Sequence, residues 1–152
     1  MEGIRNYREV SNLLACAGQP TEEQLKNLVL AGFKVVINLG LADGSYALRD
    51  EAASVKALGV IYHHIPVVFD APQLVELREF FVLMDKYAQE KVFVHCAANF
   101  RATAFVGLYL LSKNKVDETE MEDFMEDVWM PNQIWREFIE EAALLLSKNG
   151  KL

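Results

Sequence analysis

The sequence has few cysteines, no long apolar run and no excess of basic residues, and each lack excludes a class of protein. Its 152 residues include only two cysteines, Cys16 and Cys96, which excludes a small secreted scaffold built on disulfides. No apolar stretch approaches the roughly 20 residues that a transmembrane helix needs. The first residues lack the basic and then apolar order of a secretory signal, so we expect a cytoplasmic protein.

The charge balance is acidic, with 22 acidic against 15 basic residues and a formal net charge of −7. The excess belongs to one segment, because residues 117–127 contain seven acidic side chains and no basic one. This pattern predicts a solvated helix face. An acidic surface repels nucleic acids and anionic membranes, so we expect neither as a partner, while the oligomeric state stays open.

Helix and strand patterns alternate along the chain and indicate an α/β protein. The length and the lack of a Pro/Gly-rich linker predict one domain over residues 1–152. Short β-branched runs predict buried strands at 33–39, 60–67 and 92–94. Periodic apolar residues predict helices between them and after them, at about 21–31, 48–58, 73–87, 102–112, 117–129 and 131–147. This alternation predicts a three-layer sandwich around a mostly parallel sheet, with ligands bound beyond the carboxyl ends of its strands.

Two helix starts have their own signals. Thr21 and Gln24 have the spacing of a capping box, in which each side chain satisfies a backbone amide of the other residue. Pro131 suits the first turn of the last helix, where its missing amide proton costs nothing. We therefore expect helices to begin at these two positions.

The segment from Val92 to Thr103 carries the residues best suited to chemistry. Cys96 follows a buried strand, and Arg101 follows a short loop at the start of a helix. The unpaired amides and positive dipole of a helix start bind anions and favour a thiolate. Arg101 can hold two oxygens with its planar fork. The combination predicts covalent catalysis on a tetrahedral oxyanion, although a cysteine at a strand end can also be a small core residue.

The string His95-Cys96-Ala97-Ala98-Asn99-Phe100-Arg101-Ala102-Thr103 resembles the H-C-x5-R-[S/T] signature of cysteine-dependent protein tyrosine and dual-specificity phosphatases. The segments Gly18-Gln19-Pro20, Val36 to Leu39 and Tyr62 to Val67 are similar to a bacterial branch of this superfamily. The resemblance covers about residues 11–112. It implies a dual-specificity-phosphatase-like fold that needs no metal or organic cofactor. It also implies a substrate that is a phosphoprotein or a phosphorylated small molecule.

The resemblance implies a role for each residue of this string. Cys96 would attack the phosphorus, and His95 and Thr103 would support the thiolate. Arg101 would bind the phosphate together with the backbone amides of this phosphate-binding loop, those of Ala97, Ala98, Asn99, Phe100, Arg101 and Ala102. Asp70, in a Pro-containing loop 26 residues before Cys96, would protonate the leaving oxygen. Asp70 could instead form a cap or turn before the next helix, and Asp43 is a weaker substitute for it.

One departure from the signature leaves two other functions open. Only four residues separate Cys96 from Arg101, where the phosphatase pattern has five, and Asn99 stands at the usual glycine position. Asparagine tolerates the left-handed backbone that such loops need. Rhodanese-type sulfurtransferases have the shorter spacing and carry a persulfide on their cysteine. A module that binds phosphate without turnover is the third alternative.

The remaining polar residues predict no second site. His63 and His64 are neighbours on a predicted strand and point to opposite faces, so a compact metal site with His95 and Cys96 is not expected. Cys16 could form a disulfide with Cys96, but we expect it to be buried. Trp129 and Trp135 suit either core packing or a substrate wall.

Overall fold

The computed structural model describes residues 3–152, and within them five strands and six helices follow the predicted alternation. The strands are β1 (Arg8–Ser11), β2 (Leu14–Ala17), β3 (Val35–Asn38), β4 (Ile61–His64) and β5 (Val92–His95). The helices are α1 (Glu22–Leu30), α2 (Glu51–Ala57), α3 (Leu74–Lys86), α4 (Phe100–Ser112), α5 (Glu118–Glu126) and α6 (Gln133–Asn149).

The strands form one sheet in the order β1-β2-β5-β3-β4. Strands β2, β5, β3 and β4 are parallel, and only β1 runs antiparallel, beside β2. The β1–β2 hairpin has no counterpart among the predicted elements, because Arg8–Ser11 is mostly polar and two of the four residues of β2 are alanine, a weak strand former. β5 pairs on both sides, so Cys96 leaves the sheet near the middle of its carboxyl edge.

Helices cover both faces of the sheet and confirm the predicted three-layer sandwich. On one face, α1 and α2 pack against Phe93 through residues such as Leu25 and Val55. On the other face, α3 to α6 enclose a larger core that includes Phe80 and Trp135. No helix within residues 3–152 has the length and apolarity to cross a membrane.

The helix starts confirm one expected signal and correct two. The capping box forms, with Thr21 Oγ1 accepting from the Gln24 amide at 3.1 Å and Gln24 Oε1 accepting from the Thr21 amide at 2.9 Å. Pro131 lies one residue before the helix cap instead of in the first turn, because the Asn132 side chain accepts from the Trp135 amide and caps α6. Helix α4 begins at Phe100, two residues before the predicted start at 102, so Arg101 lies in its first turn.

Candidate active site

Cys96–Asn99 form the short connection from β5 to α4, which we name the cysteine loop. Asn99 ends it as the cap of α4 with φ 71° and ψ 9°, the left-handed backbone for which asparagine was expected at this position. Its side-chain amide donates to the Asn6 carbonyl at 2.8 Å, and the Asn6 side chain donates back to the Ala98 carbonyl at 2.9 Å. This reciprocal pair of hydrogen bonds fixes the loop to the segment before β1.

The backbone amides after Cys96 are available to a ligand. No acceptor within residues 3–152 receives a hydrogen bond from the amides of Ala97, Ala98, Phe100, Arg101 or Ala102. The first amide of this stretch with an intrahelical partner is that of Thr103, which donates to the Asn99 carbonyl at 3.0 Å. Unpaired amides at the start of a helix form a site for an anion. The sequence analysis assigned phosphate binding to these five amides and to that of Asn99, and this assignment stays a prediction.

The two cysteines occupy different surroundings. Cys16 lies in the middle of β2, opposite Val94 of β5, and burial raises the pKa of its thiol to about 12. Cys96 lies at the end of β5 with 1% of its surface exposed and next to the unpaired amides. Both are free thiols, so the possible disulfide is not formed and Cys16 is buried as expected. Of the two, only Cys96 adjoins the unpaired amides along the chain.

Arg101 is buried, and one donor of its guanidinium has no protein acceptor among the described residues. Nη1 donates to the Val67 carbonyl at 2.8 Å, and Nη2 lies 3.3 Å from the Tyr46 hydroxyl. Nε has no partner among the described residues. An arginine offers two parallel donors to an oxyanion along one edge, and here the Nε–Nη2 edge has the weaker protein contacts. Nε and Nη2 are therefore the guanidinium donors least engaged by protein atoms, and phosphate binding by Arg101 stays a prediction.

His95 is held by a carboxylate that the sequence analysis missed. Its Nε2 lies 2.6 Å from Glu51 Oε2, and its Nδ1 lies 3.2 Å from the Cys96 carbonyl. Glu51 Oε1 accepts from the Gln19 side-chain amide at 2.7 Å. The backbone amide of Gln19 donates to the Ala97 carbonyl at 3.0 Å. His95 thus has loop-supporting contacts, as expected, and they extend to α2.

Burial and hydrogen bonding act in opposite directions on Glu51. Burial alone would raise the pKa of this carboxyl group. That effect is outweighed by the hydrogen bond and charge of His95, by the hydrogen bond from the Gln19 side chain and by the charge of His64. Together they hold the pKa of Glu51 below its ordinary value. Glu51 is the first residue of α2, where a negative charge also interacts well with the helix dipole. Its position in the sequence marks a helix start, but nothing local indicates that it is buried against His95.

Asp70 lies in the connection between β4 and α3, residues 65–73, which we name the aspartate loop. The Arg101 contact with Val67 joins this loop to α4, and the Trp135 indole donates to the Phe69 carbonyl at 2.7 Å. The Asp70 side chain itself is exposed and has no hydrogen bond to a described residue. Gln73, and not Asp70, is the cap residue of α3, and its backbone amide donates to Glu76 Oε1 at 2.9 Å. The carboxylate is therefore left free for another use.

Four other residues of the sequence analysis lie in ordinary structural surroundings. Thr103 Oγ1 donates to the carbonyls of Asn99 and Phe100, at 2.8 and 3.1 Å, instead of to Cys96. Trp135 is fully buried and Trp129 is 91% buried, so both pack in the core. Asp43 is exposed in the connection from β3 to α2, three residues before Tyr46.

The adjacent histidines have separate partners. His63 Nε2 lies 2.8 Å from the Tyr87 hydroxyl, whereas His64 Nε2 donates to the Gly40 carbonyl at 2.6 Å. Within residues 3–152 no three metal-ligating side chains cluster. A cavity of about 680 Å³ lies at the opposite end of the sheet, lined by residues such as Leu14, Val92 and Lys113, so it has no part in the site around Cys96.

Comparison with known proteins gives a family for this arrangement. Residues 4–134 match the PTP-NADK family, described as a dual-specificity-type protein tyrosine phosphatase (DSP-PTPase) fused to NAD+ kinase. A search of the curated proteins finds no match.

Solved structures share the fold along nearly the whole chain. A candidate phosphatase (DUF442) from Shewanella putrefaciens CN-32 is 33% identical, with a TM-score of 0.87 and 94% of each chain covered. Tk-PTP is 19% identical with a TM-score of 0.78, and 95% of this chain and 99% of that chain are covered. The core catalytic domain of the PP-IP phosphatase SIW14 from S. cerevisiae is 17% identical, with a TM-score of 0.75 and coverage of 96% and 93%. The last two likenesses concern the fold alone.

Proposed function

We propose that this chain, which belongs to the dual-specificity type of the cysteine-dependent protein tyrosine phosphatase superfamily, hydrolyses phosphomonoesters through a cysteinyl-phosphate on Cys96. The observation that carries the proposal is the cysteine loop with its unpaired amides between β5 and α4. These donors suit a phosphoryl group, whose equatorial oxygens carry charge in the transition state. The substrate is a phosphoprotein or a phosphorylated small molecule.

In the first step the Cys96 thiolate attacks phosphorus in line with the ester oxygen. The sulfur–phosphorus bond forms as the phosphorus–oxygen bond breaks. The loop amides and the Nε–Nη2 edge of Arg101 hold the three equatorial oxygens. Asp70 gives its proton to the leaving oxygen, so the alcohol departs neutral. Its exposure in the aspartate loop supports this role, because a carboxylate without other partners can reach a bound substrate.

In the second step water attacks the cysteinyl-phosphate. Asp70, now ionised, takes a proton from the water, the phosphorus–sulfur bond breaks, and the thiolate and inorganic phosphate are regenerated. No redox change occurs, and no cofactor takes part. The thiolate must stay unoxidised between turnovers, so we propose that the protein works in the reducing cytoplasm.

Hydrolysis of p-nitrophenyl phosphate by wild type, Cys96→Ser and Cys16→Ser tests the proposal. Cys96→Ser should lower kcat by roughly 10⁴-fold or more, because the nucleophile is lost. Cys16→Ser is the matched control and should keep kcat, since that thiol is buried and protonated. Isolation of phosphorylated Cys96 after rapid quenching would identify the intermediate.

Three other outcomes would contradict the proposal. Equal activity in wild type and Cys96→Ser would exclude Cys96 as the nucleophile. Sulfur transfer from thiosulfate without phosphate hydrolysis would instead favour a persulfide mechanism. Phosphate binding that survives Cys96→Ser, with no turnover in any variant, would favour a binding module.

A further inference from the structure

The Tyr46 hydroxyl lies beside Arg101, and its own proton has no protein acceptor. The hydroxyl oxygen accepts from the Leu41 backbone amide at 2.8 Å and lies 3.3 Å from Arg101 Nη2. A backbone amide and a guanidinium can only donate through their nitrogens, so the hydroxyl oxygen is the acceptor in both contacts. Among the residues 3–152, none accepts a hydrogen bond from the phenolic proton. An unused donor therefore lies next to the arginine that the proposed mechanism assigns to phosphate.

Close packing fixes the ring that carries this hydroxyl. Tyr46 belongs to the connection from β3 to α2, residues 39–50, and its ring lies against two glycines of the same connection. A Cβ added at Gly44 would lie 2.5 Å from both Cε1 and Cζ of the ring. One added at Gly40 would lie 3.0 Å from Cε2 and 3.3 Å from the hydroxyl oxygen. The two glycines therefore permit the ring position that brings the hydroxyl to Arg101.

The connection is also anchored to the sheet where it begins. Asn38 Oδ1, on β3, accepts from the Gly40 amide at 2.8 Å. His64 of β4 binds the Gly40 carbonyl at 2.6 Å. A donor that is held in place before a ligand binds needs little reorganisation when negative charge develops beside it. The Tyr46 hydroxyl meets this condition.

We propose that Tyr46 is a further phosphate-binding residue: its hydroxyl donates to an oxygen of the phosphoryl group that Arg101 holds. The inference rests on the proposed function for the identity of the ligand. Because Arg101 and Leu41 both donate to the hydroxyl oxygen, they polarise its O–H bond and strengthen its donation to an anion. The contact moves no proton, so the two steps of the reaction stay as described.

The test compares Tyr46→Phe with Tyr62→Phe, and its probe is inorganic phosphate, titrated by calorimetry. Tyr46→Phe removes the hydroxyl but keeps the ring, whose centroid lies 5.9 Å from Arg101 Cζ. Tyr62→Phe is the matched control, because the Tyr62 hydroxyl accepts from the Asn38 side chain at 3.0 Å, and Asn38 holds the Gly40 amide. Both changes remove a phenol oxygen that supports the same connection. Only the Tyr46 hydroxyl contacts Arg101.

The expected result is a rise in the Kd for phosphate of about 10- to 100-fold in Tyr46→Phe, since a hydrogen bond to a charged acceptor is lost. Tyr62→Phe should leave that Kd unchanged. An unchanged Kd in folded Tyr46→Phe would overturn the inference. Equal weakening in both variants would also overturn it, because the effect would then come from the connection and not from the donor.

A crystal structure of the wild type with vanadate tests the contact without any variant. The Tyr46 oxygen should lie about 2.5–3.0 Å from a vanadate oxygen. A separation above about 3.5 Å would overturn the inference even if Tyr46→Phe fails to fold.

Failure of the proposed function is distinguishable from failure of this inference, because phosphate binding needs no turnover. Weaker phosphate binding in Tyr46→Phe, in a chain that hydrolyses no phosphomonoester, would support the role of Tyr46 and remove only the activity. Hydrolysis by the wild type together with an unchanged phosphate Kd in Tyr46→Phe would leave the activity standing and remove the role of Tyr46.

Discussion

The cysteine loop and the aspartate loop meet at Arg101 but are built in opposite ways. In the cysteine loop, side chains of distant segments hold the backbone, and the amides of Ala97 and Ala98 have no acceptor among the described residues. In the aspartate loop, two backbone carbonyls are held, by Arg101 and Trp135, and the acidic side chain is left exposed. A nucleophile and the amides that hold the phosphate oxygens need one fixed geometry. A proton donor has to reach leaving groups of different shape, so a side chain that can move suits this role.

Arg101→Lys should produce the largest effect on this comparison, because Arg101 follows the cysteine loop in α4 and donates to the Val67 carbonyl of the aspartate loop. A lysine offers a point charge instead of two parallel donors and cannot also bond the Val67 carbonyl in the same way. We expect kcat/KM to fall by about 10²- to 10³-fold. The exposed Arg136→Lys is the control and should change nothing. A loss below tenfold would remove Arg101 from phosphate binding.

Asp70→Asn tests the free end of the aspartate loop. For alkyl phosphates, whose leaving oxygen needs a proton, kcat should fall by about 10²-fold. For p-nitrophenyl phosphate the loss should be smaller, because its leaving group is stable as an anion. Asp43→Asn provides the control. If Asp43→Asn shows the larger loss, the acid lies in the connection before α2 instead.

Gly18→Ala tests how closely the cysteine loop is packed. A methyl group at Gly18 would lie 2.6 Å from the Ala97 carbonyl oxygen and 3.2 Å from the Ala98 Cα, so backbone must move. We expect the free energy of unfolding in urea to fall by about 1–3 kcal/mol, with loss of activity. Ala71→Gly in the exposed aspartate loop should cost at most about 1 kcal/mol. A similar loss of unfolding free energy in Gly18→Ala and Ala71→Gly would contradict the closer packing of the cysteine loop.

Trp135→Phe should have the smallest effect. It removes the hydrogen bond to the Phe69 carbonyl while an aromatic ring still packs in the core, and we expect a loss of about 1 kcal/mol in unfolding free energy. Trp129→Phe is the matched control, because the buried Trp129 indole has no acceptor within the described residues. A fall in kcat with Trp135→Phe alone would show that this contact positions Asp70. Equal kcat in both variants would show that it does not.

The sequence predicted best where neighbouring residues determine the structure. The cysteine loop, the left-handed Asn99 and the Thr21 capping box each depend on residues a few positions apart. The alternation of short apolar runs with amphipathic stretches was enough to predict the layers of the sandwich. The exact helix starts were predicted less well. Pro131 favoured a start one residue too early, because Asn132 also suits a helix cap and takes that position in the structure.

The residues that the sequence analysis missed act over long separations. Glu51 meets His95 across 44 positions, and Tyr46 meets Arg101 across 55. A glutamate at a helix start usually faces water, so neither its residue type nor its position in the sequence indicates burial. The hydroxyl of Thr103 had several possible acceptors, and the choice of helix carbonyls depends on how α4 begins. Only the assembled sheet brings these partners together.

The strand order separates the two loops in a further respect. β5, which leads to Cys96, is hydrogen-bonded to a strand on each side, whereas β4, which leads to Asp70, is at an edge and pairs only with β3. Edge strands open at lower free energy than central ones and exchange their amide protons sooner. Transient local unfolding can therefore release the proton donor and leave the nucleophile in place. Substitutions in the aspartate loop can therefore alter the surroundings of Asp70 without lowering the stability of β5, which holds Cys96.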